Sequence, residues 1–308
     1  MITSIIWLPA SLLAGLFQAW RTAVQQRLRA DLTVSGASLV RYLYGLPVAV
    51  VLLIIYAIAR GWSAPRLDLW FFLLAGVGGL TQILATNLLI MAFGYRNFVV
   101  GTAFSKTEAV QAAVFARVAF GEHLSALAQT GVGFGVAGVL VLALGSQRFH
   151  VREIVRSLRQ PAALCGLGAG ALFAVTGLLI KRATVEVQLP DPVSEALVTL
   201  AFVMLLQIIM HGSYIAWREP ETLRRVAATW KTSSQVGILA GLGSACWFTG
   251  FAAAPVALVR VVGQVEVIFT LAFARLYLRE RIRPRDALGL GLVSGGVVLA
   301  LLGGWLKS

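Results

Sequence analysis

Phe104-Ser-Lys-Thr-Glu108-Ala-Val-Gln-Ala-Ala-Val-Phe-Ala-Arg117 is an apolar stretch that carries one carboxylate near its middle, and it runs on into Gly121-Glu122-His123-Leu124-Ser125. The same plan returns in Val262-Gly-Gln-Val-Glu266-Val-Ile-Phe-Thr-Leu-Ala-Phe-Ala-Arg275, followed by Arg279-Glu280-Arg281-Ile282-Arg283. A shift of about 158 positions lays Glu108 on Glu266, Phe115-Ala-Arg117 on Phe273-Ala-Arg275, and Glu122 on Glu280. Gly131 and Gly133 then meet Gly289 and Gly291 without a gap. A carboxylate at membrane depth is costly and marks a candidate functional site. Two of them related by an internal repeat point to a chain built from duplicated halves.

The surrounding composition sets the solvent. Of 308 residues, 58% are hydrophobic and 13% charged, against about 25% charged in soluble domains. Mean hydropathy is +0.84. Apolar runs of about 20 residues cross a bilayer as helices. Barrel strands would alternate polar and apolar over about 10 residues, and these runs are continuous. The expected fold is therefore an all-α integral membrane protein with ten transmembrane helices in two inverted five-helix repeats. The spans centre near Leu13, Val50, Ile83, Ala109, Val136, Phe173, Met204, Ala245, Val267 and Val297. Repeat one covers 1–146, a basic linker 147–159, and repeat two 160–308. Each half has an odd number of spans, so homologous halves in one chain must face opposite ways.

The net charge of +13 is read as flanking charge that orients spans, and no nucleic-acid partner is expected. Arginines and lysines concentrate in the loops after spans one, three, five, seven and nine. The positive-inside rule puts those loops in the cytoplasm and both termini outside. Met1-Ile-Thr-Ser-Ile-Ile-Trp7 has no basic region ahead of its apolar run, so the first span is expected in the mature protein. Localisation in the cell inner (cytoplasmic) membrane follows as an expectation. Cys165 and Cys246 lie in apolar segments and supply neither a disulfide framework nor metal-ligand spacing. His123, His150 and His211 form no metal-binding pair, so no metal and no cofactor is expected. Glycine clusters on spans three, five, six, eight and ten suit close helix packing.

These features together resemble the drug/metabolite transporter superfamily, in its EamA-type ten-helix permeases. The resemblance rests on Glu108 through Gly121-Glu122-His-Leu-Ser125 and on Glu266 through Glu280. In the family the equivalent glutamate is often followed by proline, and the span ends in Gly-Glu-x-Leu. Here Ala109 and Val267 follow the glutamates, and Arg279-Glu280 replaces the second Gly-Glu. The resemblance implies a permease for small metabolites and leaves the cargo open.

Glu108 and Glu266 are each candidates for proton exchange or amine binding; the competing reading is a carboxyl that pins the halves together. Lys106 and Gln264 are repeat-equivalent and lie two residues from each glutamate, pointing roughly 160° away around a helix. Lys106 can snorkel, or pair with another helix. Arg41 and Arg260 are read either as interface anchors or as clamps for a carboxylate. Arg117 and Arg275, with Glu122 and Glu280, read as end-of-span anchors and salt bridges. Gln18, Gln82, Asn87 and Trp247 either bond between helices or line a cavity for a small molecule. Trp7, Trp62, Trp70, Trp217, Trp230 and Trp305 read as an interfacial belt.

The leading expectation is a secondary active transporter of small amphiphilic metabolites, with amino acids or their derivatives as candidate cargo, working by alternating access. Protons are a candidate coupling ion; substrate and lipid bilayer are the other expected partners. Monomer and homodimer both stay open. No Walker motif is present, so ATP is not expected to drive transport. The alternatives are an integral-membrane enzyme, for which no nucleophile or metal constellation is found, and a non-transporting lipid-handling subunit.

Overall fold

Backbone amides cannot be left unpaired in hydrocarbon, and the apolar runs satisfy theirs internally as helices. The structure, a computed structural model, describes residues 5–28, 31–94, 104–121, 123–144, 160–269, 272 and 284–305. Among these residues regular structure is all helical. The order is α1 (Trp7–Leu28), α2 (Val34–Leu43), α3 (Gly45–Arg60), α4 (Leu69–Gly94), α5 (Glu108–Phe120), α6 (Ala126–Leu144) and α7 (Pro161–Glu186). It continues with α8 (Pro192–Gln207), one π turn (Ile208–Gly212), α9 (Ser213–Arg218), α10 (Pro220–Ala228), α11 (Trp230–Ala253), α12 (Val256–Gly263) and α13 (Pro284–Trp305). All ten expected span centres fall on helical residues.

Among the described residues five segments are long and apolar enough to cross a membrane outright: Val34–Arg60, Leu69–Ala92, Pro161–Glu186, Pro192–Arg218 and Trp230–Ala253. Ala126–Val141 and Gly291–Gly303 are shorter apolar helices. The protein is an all-α, multi-pass membrane protein.

Two compact units divide the helices. One comprises Met1–Ile83 with Thr176–Ala254, the other Leu84–Val175 with Pro255–Ser308. Each unit draws on both halves of the sequence, and α4 and α7 contribute a segment to each.

In the first unit, chain starts are set by caps. The Asp191 carboxylate accepts from the Val193 and Ser194 amides at 2.9 and 3.1 Å and starts α8, with Pro192 in the first turn. Thr33 caps α2 through the Gly36 amide. α1 lies along α11, where Gly243 lets the Phe17 side chain close in. Gly237 of α11 sits against the Tyr44 backbone at the α2–α3 junction, where any Cβ would clash. The π turn after α8 places buried His211 so that its Nδ1 meets the Tyr42 hydroxyl at 3.0 Å, and that hydroxyl meets Ser38 Oγ at 2.7 Å. A π turn adds one residue to the helical ring, and such turns often mark functional positions.

In the second unit α6 and α13 are the repeat-equivalent fifth and tenth spans, and they pack on each other through glycine. A Cβ on Gly138 would stand 2.6 Å from the Val293 amide and 2.8 Å from the Gly289 carbonyl. A Cβ on Gly131 would stand 2.6 Å from the Gly296 carbonyl. The repeat lays Gly131 on Gly289 and Gly138 on Gly296. Each glycine therefore faces the partner of the other, the reciprocal contact that a pseudo-twofold axis produces. Position rises along one helix as it falls along the other, so the two equivalent helices run antiparallel, as inversion requires.

Trp62, Trp70, Trp217 and Trp230 are all more than half exposed, as the expected interfacial belt requires. Trp7 is buried at 8% exposure and does not belong to it, because the first turn of α1 is covered by its own unit. The Trp305 side chain lies outside the described residues. So do Glu122, Arg275 and Glu280, while Arg117 is exposed as an end-of-span residue would be.

Candidate functional site

The glutamates sit where helices restart. Continuous helix through both segments is the simplest reading of the sequence, and it does not hold. Thr107 donates its amide to Phe104 O at 3.2 Å, and α5 begins with Glu108. In the second half Gln264 and Val265 donate to Val261 O and Val262 O, both at 3.1 Å, and the helix resumes at Glu266. These i→i+3 bonds tighten the backbone into a 3₁₀-like turn at the same repeat position twice. Side-chain competition explains the first: Thr107 Oγ1 donates to Phe104 O at 2.6 Å and accepts from Gln111 Nε2 at 2.8 Å. Each carboxylate consequently stands in a first helical turn, where the free amides and the helix dipole favour negative charge.

Each carboxylate is met by a cation from the other half of the chain. Lys106 Nζ lies 2.5 Å from Glu266 Oε2. Arg260 Nη1 lies 3.4 Å from Glu108 Oε1. The four side chains are 7–12% exposed. Arg260 is therefore no interface anchor; it is buried, and its guanidinium carbon stands 6.0 Å from the centre of the Phe173 ring. Lys106 does not snorkel; its reach across to another helix is what the i,i+2 offset leaves available. The cluster holds two acids and two bases, paired across the repeats.

Backbone proximity keeps it closed. Gly170 of α7 faces the Glu108 turn: a Cβ there would stand 2.9 Å from Ser105 O and 3.3 Å from Gln111 Nε2. Gln264 is buried and reaches Lys106 O with Nε2 at 3.5 Å, and its Oε1 has no hydrogen-bond partner among the described residues. Gly135 of α6 leaves the room that this amide occupies.

The remaining candidates fall in different surroundings. In the first unit Trp247 Nε1 donates to Gln18 Oε1 at 3.0 Å, joining α11 to α1, and Trp247 stacks on Phe251. Gln82 accepts from Gln207 Nε2 at 2.7 Å, and that nitrogen also donates to Gly79 O at 3.2 Å. Arg41 is buried in α2, next in the chain to Tyr42. In the second unit Asn87 is half-buried on α4, and its Oδ1 has no hydrogen-bond partner among the described residues. Sequence reasoning passed over Gln207, Phe173 and Thr107. The signal for Gln207 was there: it is a lone amide in the apolar run Met204-Leu-Leu-Gln-Ile-Ile209. Nothing local distinguishes Phe173 from the other aromatic residues of the spans. Among the described residues no group of His, Cys, Asp and Glu could hold a metal ion.

Residues 160–302 match the EamA-like transporter family. Residues 6–107 match the family described as "Putative inner membrane exporter, YdcZ". A solved structure described as "Crystal structure of protein" is 18% identical, with a TM-score of 0.72 over 100% of both chains, and so shares the fold. No curated protein matches the chain. The two family matches fall on separate parts of the chain, and together they support a membrane transporter similar to the EamA-like and YdcZ exporter families.

Proposed function

We propose that the protein is a secondary transporter of the inner membrane that moves small amphiphilic metabolites, amino acids or their derivatives among them, by alternating access. One observation carries this reading: each repeat's glutamate is held by a cation from the other repeat. A zwitterionic cargo matches the cluster group for group. Its ammonium competes with Lys106 for Glu266, or with Arg260 for Glu108. Its carboxylate takes the cation so released, and the planar guanidinium of Arg260 suits a two-oxygen ligand. Protonation of Glu266 would free Lys106 in the same way, which makes this pair the candidate proton site. The 3₁₀-like turns beside both glutamates are where α5 and the equivalent helix can flex as the repeats rock.

A clasp that only joins the two repeats would use the same pairs. Transport by the purified chain in proteoliposomes separates the readings, comparing Glu108→Gln, Glu266→Gln and the charge-exchanged variant Lys106→Glu with Glu266→Lys. The exchanged variant restores a clasp and misplaces the binding charges, so it is expected to fold and not to transport. Wild-type transport with unchanged pH dependence in both single variants would overturn the proposal.

A further inference from the structure

Helix α10 is a nine-residue amphipathic segment held between two membrane spans. Pro192–Arg218 ends just before it, and Trp230–Ala253 begins just after it. It is docked inward through Thr222 and Val226, one turn apart and both buried. The Val226 carbonyl accepts from the Tyr44 hydroxyl at 3.3 Å. The Glu219 carboxylate, at the start of the helix, accepts from the hydroxyls of Thr33, Ser35 and Thr222, all at 3.1 Å. The inward face is thus fixed, and Arg224 and Arg225 are turned outward and exposed.

Both junctions carry an exposed tryptophan with a cation beside it. The Arg218 guanidinium carbon is 5.1 Å from the Trp217 ring centre, and Lys231 Nζ is 5.9 Å from that of Trp230. Exposed tryptophan at the end of a span marks headgroup depth. The same surface holds four cations. Of its acids, Glu219 is engaged by hydroxyls, and Glu221 is shared with Arg224 at 3.3 Å. The surface therefore carries excess positive charge beside exposed span-end tryptophans, on an element fixed by its inward contacts.

We infer that α10 and its two junctions form a docking surface for the headgroups of anionic phospholipids. The tryptophan rings occupy the interface, and Arg218, Arg224, Arg225 and Lys231 engage phosphate oxygens. Basic residues near an anionic membrane surface are attracted to it additively, and the attraction decays within a Debye length.

The test uses the full-length chain in nanodiscs of phosphatidylcholine, with and without phosphatidylglycerol, reading the midpoint of thermal unfolding. Phosphatidylglycerol is expected to raise the midpoint of the wild type, and high salt to remove the rise. Arg224→Gln with Arg225→Gln should weaken the apparent affinity for phosphatidylglycerol on the order of tenfold. R225Q alone, at an exposed position, should lose part of the increment and stands in should the double variant not fold. R66Q with R182Q, both exposed and outside this surface, should keep the whole increment. No phosphatidylglycerol-specific rise in the wild type, or a full rise in R224Q/R225Q and R225Q, would overturn the inference. So would an equal rise produced by inorganic phosphate in pure phosphatidylcholine.

Discussion

Lys106 and Gln264 hold the same position in the two repeats, and they touch: the Gln264 amide reaches the Lys106 carbonyl at 3.5 Å. Equivalent residues meet only on a pseudo-twofold axis, so this contact places the axis between the two turns that precede the glutamates. The side chains on that axis differ. Lys106 supplies the cation for Glu266, whereas Gln264 supplies none, and Glu108 depends on Arg260 from further back in α12. A symmetric backbone therefore carries an asymmetric pair of charge sites, one short and one long.

This asymmetry predicts unequal mutational costs. Lys106→Gln leaves the Glu266 carboxylate buried without its counter-charge, and breaking a buried pair on one side costs about 3–5 kcal/mol. Thermal unfolding in detergent should show a large loss for Lys106→Gln, and a partial recovery when Glu266→Gln is added. Absence of recovery would mean that the two residues are not energetically coupled.

The α6–α13 seam leaves no room for a side chain at Gly138. Gly138→Ala would place a methyl 2.6 Å from the Val293 amide and force the antiparallel helices apart. Overpacking of this kind costs about 1–3 kcal/mol. Gly133→Ala on the same helix, where the space is open, should be neutral, and the two unfolding midpoints compare directly.

Asp191 lies outside the spans and gives a pH prediction. Burial pushes its carboxyl pKa up, yet the bonds from Ser194, Tyr56 and Val193 outweigh that and hold it below the ordinary aspartate value. A lowered folded pKa adds stability above the unfolded value, which is lost as pH falls through the folded value. Asp191→Ala should cost about 1 kcal/mol near neutral pH and less in acid. Asp191→Asn should keep most of the cap and flatten the acid limb of the stability profile.

Trp247→Phe removes the donor to Gln18 and keeps the stacked ring. Interhelical bonds of this kind in membranes average about 0.6 kcal/mol. A small change in unfolding midpoint is expected; a drop of several times that size would give the Trp247–Gln18 pair a weight beyond one hydrogen bond.

Much of this was legible in the order of residues. Hydropathy and run length dictate helices, because lipid offers backbone amides no other partner. The 158-residue offset, carried by Glu108 and Glu266 and by the glycines of the fifth and tenth spans, exposes the duplication, and five spans per half require inversion. These are properties of period and composition, and they need no coordinates. Cation pairing is different. Lys106 and Glu266 are 160 positions apart, and Arg260 and Glu108 are 152 apart, with no local pattern linking them. Only packing about the pseudo-twofold axis brings each carboxylate to the opposite repeat's cation, and only there do Thr107 and Gln264 tighten the backbone and turn mid-span glutamates into the first residues of helices. Arg41 and Arg260 read equally well as anchors or clamps, since a guanidinium at a helix end looks the same in either role. Burial separates those roles, and burial belongs to the whole fold.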